Sequence, residues 1–364
     1  MSAEIRIDLD ALKANWTYLN QLTNKANCAA AVKANAYGLG LAPITHALHD
    51  AGCDTFFVAL AEEGIALKKL LPEATIYVLN GPDEKLTLKL TETGLYPVLN
   101  SLDQVLRWKT HLSPKQSSEC ALHLDTGMAR LGLSATEIGQ LADEPTLIDG
   151  LNIKLVMSHL ADADRPQDQM AEQQRQRFDA ARTKLNLQHL PASLANSAGI
   201  FHGEKFHYNM VRPGLALYGG APLQTMGQTE PNPMQPVVTV RAQIIQTRVV
   251  EKGDPIGYGA AFRATDKSLI ATCAIGYADG YPRALSHQGV ACLEDQKVPV
   301  VGRISMDLTT LDVSNIPNAK AGDWVTFLGG PISIDDVAAK AGTATYELLT
   351  GLSSRIPRIY EGAH

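Results

Sequence analysis

Little in this 364-residue chain points to crosslinks, membranes or nucleic acid. The five cysteines, Cys28, Cys53, Cys120, Cys273 and Cys292, are odd in number, scattered, and never form a CxxC pair. That spacing argues against a disulfide framework and against a metal site, and it fits buried thiols in a reducing, cytoplasmic compartment. There is no block of like charge, and a formal net charge of −6 would repel a phosphate backbone, so no nucleic-acid partner is expected. No apolar run is long enough to cross a bilayer. Met1 to Asp10 carry acids where a signal peptide would have an apolar core, so no membrane partner is expected either.

What is present is enough apolar residue, 45% of the chain, to bury a sizeable core and to divide into two domains. Up to about residue 220, short apolar runs alternate with longer helical patterns, the βα rhythm of a parallel sheet covered by helices. Eight strands centre on Cys28–Val32, Thr55–Val58, Ile76–Val78, Tyr96–Val98, Ala121–Leu124, Leu155–Met157, Leu190–Leu194 and Met210–Val211. Ahead of them, Asp8 is placed to cap a helix with Leu9, Leu12, Trp16 and Leu19 on one face. The rhythm alone fits a TIM-type (β/α)8 barrel or a doubly wound open sheet. The Gln-rich stretch Gln167–Gln176 reads as an exposed helix face.

Composition changes at Pro222–Pro236, rich in Pro, Gln, Thr and Gly, which reads as a linker. Beyond it, Val237–Val250, Leu269–Ile275, Gly289–Leu293, Val298–Val301, Thr309–Val313 and Trp324–Leu328 are strand-like. Helical periodicity returns only at Ile334–Lys340 and Tyr346–Leu352. The expected division is a barrel over 1–225 and a mostly β C-terminal domain over 226–364.

Barrel active sites gather at the C-terminal ends of the strands, and polar residues recur there. Lys33 follows the first strand, Asp125 to Arg130 the fifth, His159 the sixth, Asn196–Ser197 the seventh and Arg212 the eighth. Beside an apolar strand a lysine's ammonium is disfavoured, and the freed amine can form Schiff bases, commonly with pyridoxal 5'-phosphate (PLP). The plainer alternative is a strand-end lysine reaching water. Arg212 precedes Gly214, a residue that lets backbone approach a ligand, with following N–H groups able to receive phosphate oxygens. Arg212 fits either a salt bridge at the barrel rim or a partner for the pyridine nitrogen of PLP, where an arginine would keep the ring unprotonated.

Eight strings in order make the chain resemble the alanine racemase family: AVKANAYG at 31–38, HLDTGMARLG at 123–132, SHLA at 158–161, ANSAG at 195–199, VRPGLALYG at 211–219, GYGAAF at 257–262, AIGYADGYPR at 274–283 and VGRISMD at 301–307. The resemblance implies PLP as cofactor, held by Lys33 as a Schiff base, with Lys33 also acting as one base. Tyr258 matches the opposing base, since racemisation requires proton removal on one face of Cα and delivery on the other. The family's tyrosine comes from the second subunit, which implies a head-to-tail homodimer with composite sites. By the same resemblance Tyr37, Ser197 and the backbone of Gly214 and Leu215 hold the phosphate. Arg212 faces the pyridine nitrogen, and His159 packs on the ring and supports Arg212. Arg130 and the Met306 N–H take the substrate carboxylate, and Tyr277 and Arg283 line the entry passage.

Three residues depart from the family pattern. Leu39 replaces a frequent histidine, His123 a lysine that many relatives carbamylate, and Ser354 a tyrosine near the substrate. The function implied is interconversion of L- and D-alanine, supplying D-alanine for peptidoglycan or serving alanine catabolism. The alternatives are a broader racemase acting on serine or other small amino acids, a PLP-dependent decarboxylase and a non-catalytic PLP-carrier protein. The strings of the second domain speak against the last two.

Overall fold

The βα alternation of the first half closes on itself. A computed structural model describes residues 2–83, 85–111, 119–165, 167–227 and 229–362. Nine parallel segments pair in the order Asn27–Cys28, Met210–Val211, Ala192–Ser193, Asn152–Met157, Glu119–His123, Tyr96–Leu99, Thr75–Val78, Thr55–Val58, Ala30–Ala31. The first and last segments are halves of one run, interrupted at Ala29. Its front half pairs with Met210–Val211 and its rear half with Thr55–Val58, so eight strands form a barrel and the open-sheet alternative falls away. The barrel interior is filled by Ala29, Phe57, Tyr77, Val98, Ala121, Leu155 and Met157, all buried. Two expected strands are shorter than predicted: Cys28–Val32 breaks in two, and Leu190–Leu194 contracts to Ala192–Ser193. At Asp8 the expectation holds, for its carboxylate accepts the Ala11 N–H at 2.8 Å and starts the helix Leu9–Thr23.

The second half is an antiparallel-rich sheet of eight strands around the long, bulged strand Val238–Val250. Its front pairs with Trp324–Leu328 on one side and its rear with Ser268–Cys273. The other neighbour of the front half is Ala3–Asp8, at the start of the chain, which also pairs in parallel with Arg358–Glu361. Neither of those two strands was expected from the sequence pattern. A two-stranded hairpin, Pro255–Ile256 with Phe262–Arg263, projects the turn Tyr258–Ala260. Helices Ile334–Ala341 and Thr345–Gly351 pack over the barrel mouth. Among the described residues no helix is long and apolar enough to cross a membrane, and all five cysteines are buried free thiols.

Of the Gln-rich stretch, Gln167, Gln169, Gln173 and Gln176 are exposed as expected, but the helix begins only at Met170 and Gln174 is a correction, being fully buried in the stripe Ala171, Gln174, Phe178 and Arg182 of the helix Met170–Lys184. The segment read as a linker also has a structural task, for Pro222, Leu223, Gln224, Met226 and Gly227 form one wall of the cavity described below.

Candidate active site

Directly after the first barrel strand the backbone turns left-handed. Ala34, Asn35, Ala36 and Tyr37 have φ between 52 and 57°, a conformation that costs L-residues roughly 1–2 kcal/mol each. Tertiary bonds hold it. Glu63 accepts the Ala34 N–H at 2.6 Å, and Asn35 Oδ1 accepts the Leu41 N–H at 2.8 Å. The turn leaves Lys33 half-buried and swings the Tyr37 ring against Tyr218, with centroids 4.7 Å apart. Burial, then the charge of Arg130, hold the Lys33 ammonium below its usual pKa, with Glu63 opposing. The lysine reaching water is thus replaced by one facing a cavity, with its charged form disfavoured.

That cavity, of about 1020 Å³, is lined by Lys33, Tyr37, Arg130, His159, Ser197, Arg212, Gly214 and Leu215. Arg212 is not in a rim salt bridge. It is buried, donating from Nη1 to Ser193 Oγ at 2.5 Å and from Nη2 to the Ser158 carbonyl at 2.7 Å, with its guanidinium over the Phe57 ring at 5.7 Å. Among the described residues no carboxylate pairs with it, and burial pulls its pKa down to about 10, so it stays charged at neutral pH. His159 Nδ1 lies 3.4 Å from Arg212 Nη2. Burial, followed by Arg212 and Arg130, pushes His159 well below the usual imidazole range, so the ring is neutral.

Asn196 and Ser197 divide their tasks. Asn196 caps its own short helix by accepting the Gly199 N–H, whereas Ser197 Oγ reaches across to accept the N–H groups of Gly214 and Ala216 at 3.0 and 3.2 Å. A Cβ at Gly214 would stand 2.3 Å from Tyr37 Oη, so a side chain there would displace the phenol. The result is a tight turn of neutral groups, the Ser197 hydroxyl and the Tyr37 phenol, against the backbone of Gly214.

The departures resolve unequally. Leu39 is core. Ser354 is exposed and lies outside the cavity, but a tyrosine does line it: Tyr346, whose ring is 6.0 Å from that of Tyr37. The site is therefore not short of a tyrosine, and Tyr346 was legible in the sequence only as one residue of a helical pattern. His123 is buried, with Nδ1 2.8 Å from Asn100 Oδ1. Asn100 Nδ2 donates to the carbonyls of Leu79 and Val98, so its oxygen accepts and His123 carries its proton on Nδ1. Burial and the charges of Arg212 and Arg130 bring His123 down to about 4 despite Asp125, so it is neutral.

Four expected residues lie elsewhere in the chain. Tyr258, Tyr277 and Met306 are 71%, 42% and 54% exposed, and Arg283 is exposed too. Two of their loops are zipped together, since Tyr277 N–H donates to Ser305 O and Ala278 N–H to Met306 O. Beside them Arg355 bridges buried Asp279 and Asp307. Among the described residues no hydrogen bond uses the Met306 N–H.

Fold and site together define a two-module barrel protein whose amine, arginine and tight turn at Gly214 meet at the C-terminal ends of the strands. Sequence-family models described as alanine racemase, N-terminal domain, and alanine racemase, C-terminal domain, match residues 7–222 and 237–360. The alanine racemase of Rhodospirillum rubrum is 43% identical, over 99% of this chain and 96% of that one. A catabolic alanine racemase of Mesorhizobium japonicum is 44% identical, over 99% and 93%. The crystal structure of the Bartonella henselae alanine racemase with covalently bound pyridoxal phosphate superposes with a TM-score of 0.94 at 38% identity, covering 99% of this chain and all of that one. The biosynthetic enzyme of Pseudomonas aeruginosa gives 0.92 at 32%, covering 99% of each. The chain belongs to the alanine racemase family.

Proposed function

We propose that this protein is a cytoplasmic, PLP-dependent enzyme that interconverts L- and D-alanine, acting as a homodimer whose sites each draw residues from both subunits. The observation that carries the reading is the convergence of eight residues, from the ends of the first, fifth, sixth, seventh and eighth barrel strands, on one cavity. The cavity fits the cofactor chemically. It offers an amine whose charge is disfavoured by burial, an arginine with no carboxylate partner among the described residues, and at Gly214 a turn where a Cβ would stand against the Tyr37 phenol. Lys33 would hold the PLP aldehyde, Arg212 the pyridine nitrogen, and Tyr37, Ser197 and the N–H groups around Gly214 and Leu215 the phosphate. When bound, PLP supplies electron withdrawal that acidifies the substrate Cα–H.

The chain's own groups do the rest. Arg130, which makes no ion pair among the described residues, receives the substrate carboxylate and orients Cα. The Lys33 amine takes or returns the proton on one face. Its lowered basicity keeps it competent near neutral pH. The phenol of Tyr258 of the partner subunit serves the other face, and the Met306 N–H of the partner subunit adds a donor to the carboxylate. Exposure of Tyr258, Tyr277 and Met306 in the single chain supports this arrangement, for large side chains held outward by a rigid hairpin and zipped loops are the form of a surface that completes another copy. Tyr277 and Arg283 would then line the partner's entry passage. We take the chain to divide at 225/226 into the barrel and the module that reaches across.

The test is incubation of the PLP-loaded protein with L-alanine, followed by chiral chromatography, alongside a panel of other single-enantiomer amino acids. Appearance of D-alanine supports the reading. Bound cofactor with unchanged L-alanine would instead mark a carrier, and faster racemisation of serine a broader enzyme.

A further inference from the structure

Within the polar helix Met170–Lys184, Gln174 is fully buried and spends its whole amide on the cavity wall. Its Oε1 accepts the Ala161 N–H at 2.8 Å, and its Nε2 donates to the His159 carbonyl at 2.9 Å and to Thr126 Oγ1 at 3.2 Å. Binding the carbonyl of one residue and the N–H of the second residue on imitates an adjacent β-strand, so the amide splints 159–161 in an extended form where the sixth strand has ended. Thr126 Oγ1 lies 2.8 Å from Ser158 Oγ, and the Ser158 carbonyl receives Arg212 Nη2 at 2.7 Å. From the same helix Arg177 Nη1 donates to the Thr126 carbonyl at 3.1 Å, at the root of the loop that carries Arg130. One helix therefore ties together the segments that present His159, Arg212 and Arg130 to the cavity.

We infer that Gln174 is a positioning residue of the active site: it touches neither cofactor nor substrate, and it fixes the His159–Arg212 pair by splinting the segment that ends the sixth strand. The inference rests on the reading of this cavity as a PLP site. A buried amide with every donor and acceptor engaged cannot be replaced by an apolar side chain without orphaning the Ala161 N–H and the His159 carbonyl, and these find new partners only if the segment moves. Displacement of that wall by even 1 Å is enough to cost on the order of 10²-fold in rate.

The experiment compares wild type, Gln174→Leu, Thr126→Val and Gln173→Leu, the last being a control on an exposed neighbour in the same helix. Each holoenzyme is stripped of PLP and titrated back by absorbance well below its melting temperature, then assayed for kcat and KM. For Gln174→Leu the PLP dissociation constant should rise at least about tenfold and kcat fall by a similar factor. Thr126→Val, which keeps shape but removes the hydroxyl, should lie between, and Gln173→Leu should match wild type. A lowered melting temperature in Gln174→Leu with unchanged PLP affinity and kcat overturns the inference, because a purely structural role predicts that result. If Gln174→Leu does not fold, wild-type PLP affinity and kcat in Thr126→Val overturn it. Failure of the wild type itself to take up PLP overturns the reading of the site, and the inference with it.

Discussion

The barrel mouth and the loops of the second module stand in opposite states of completion. At the mouth Arg212 is buried among a carbonyl, a hydroxyl and an aromatic face, and a left-handed turn is held against its own strain. In the second module Tyr258 and Met306 point outward from a hairpin and a loop that are themselves well bonded. Rigid backbone with exposed large side chains is what an interface requires before its partner arrives. On the proposed reading, the difference is that between a cavity assembled within one chain and a surface that would complete the site of another.

Removal of Lys33 tests the buried half most severely. Lys33→Ala should lose the borohydride-trappable PLP linkage and racemise at a rate at least about 10³-fold lower, as removal of a covalent anchor that doubles as a base demands. Reduction followed by mass spectrometry checks it, and a trapped linkage in the mutant would undo the assignment. The exposed half should fail differently. Tyr258→Phe should bind PLP like wild type while racemisation falls by roughly 10²–10⁴-fold, the usual worth of a positioned acid or base. Exchange of the α-hydrogen with deuterated solvent should survive from one enantiomer alone, and wild-type exchange from both would exclude the tyrosine as a base.

Mixing these two inactive variants sharpens the comparison. If each site pairs Lys33 of one chain with Tyr258 of the other, a reassorted mixture has one intact site in half of its dimers and should recover about a quarter of wild-type activity. Sites built within one chain would recover none. The smallest effect belongs to His123. Because the native ring protonates near 4 rather than at the usual 6.5, the unfolded chain binds a proton that the native one refuses between those values. Stability should therefore fall as pH drops from 6.5 to 4, by about 3 kcal/mol at most. Urea titrations of wild type and His123→Asn at pH 7 and pH 4.5 read it directly, and parallel pH dependence in the two proteins would refute it. A neutral His123 also predicts rates indifferent to added bicarbonate, and bicarbonate activation would contradict that.

Much of the barrel was legible because each strand is an apolar run and five of the eight are followed by a polar candidate, so that Lys33, Arg130, His159, Ser197 and Arg212 could be placed after strands before any coordinates. Ala3–Asp8 was not legible as part of the C-terminal sheet, since its partners lie more than 230 residues away. Gln174 was misread for a related reason. Six of the residues in Gln167–Gln176 are Gln or Asp, and composition cannot reveal which one of a polar run turns inward to meet backbone groups of another loop. The same holds for Asn100, whose amide sets the His123 tautomer, and for Tyr346.

By itself the sequence determined the two-module order, the eight-strand rhythm and the set of chemical groups at the strand ends, because periodicity, capping and motif spacing are local properties written residue by residue. Only the tertiary structure decided that the barrel closes through the two halves of 27–31, that Arg212 is buried and without a carboxylate partner among the described residues, that His123 is neutral, and that Tyr258 is exposed outside the cavity that Lys33 lines. Closure, desolvation and facing are relations between segments distant in the chain. They come into being when the segments pack, and the free energies that fix them, burial of charge and satisfaction of buried hydrogen bonds, do not exist in the extended chain.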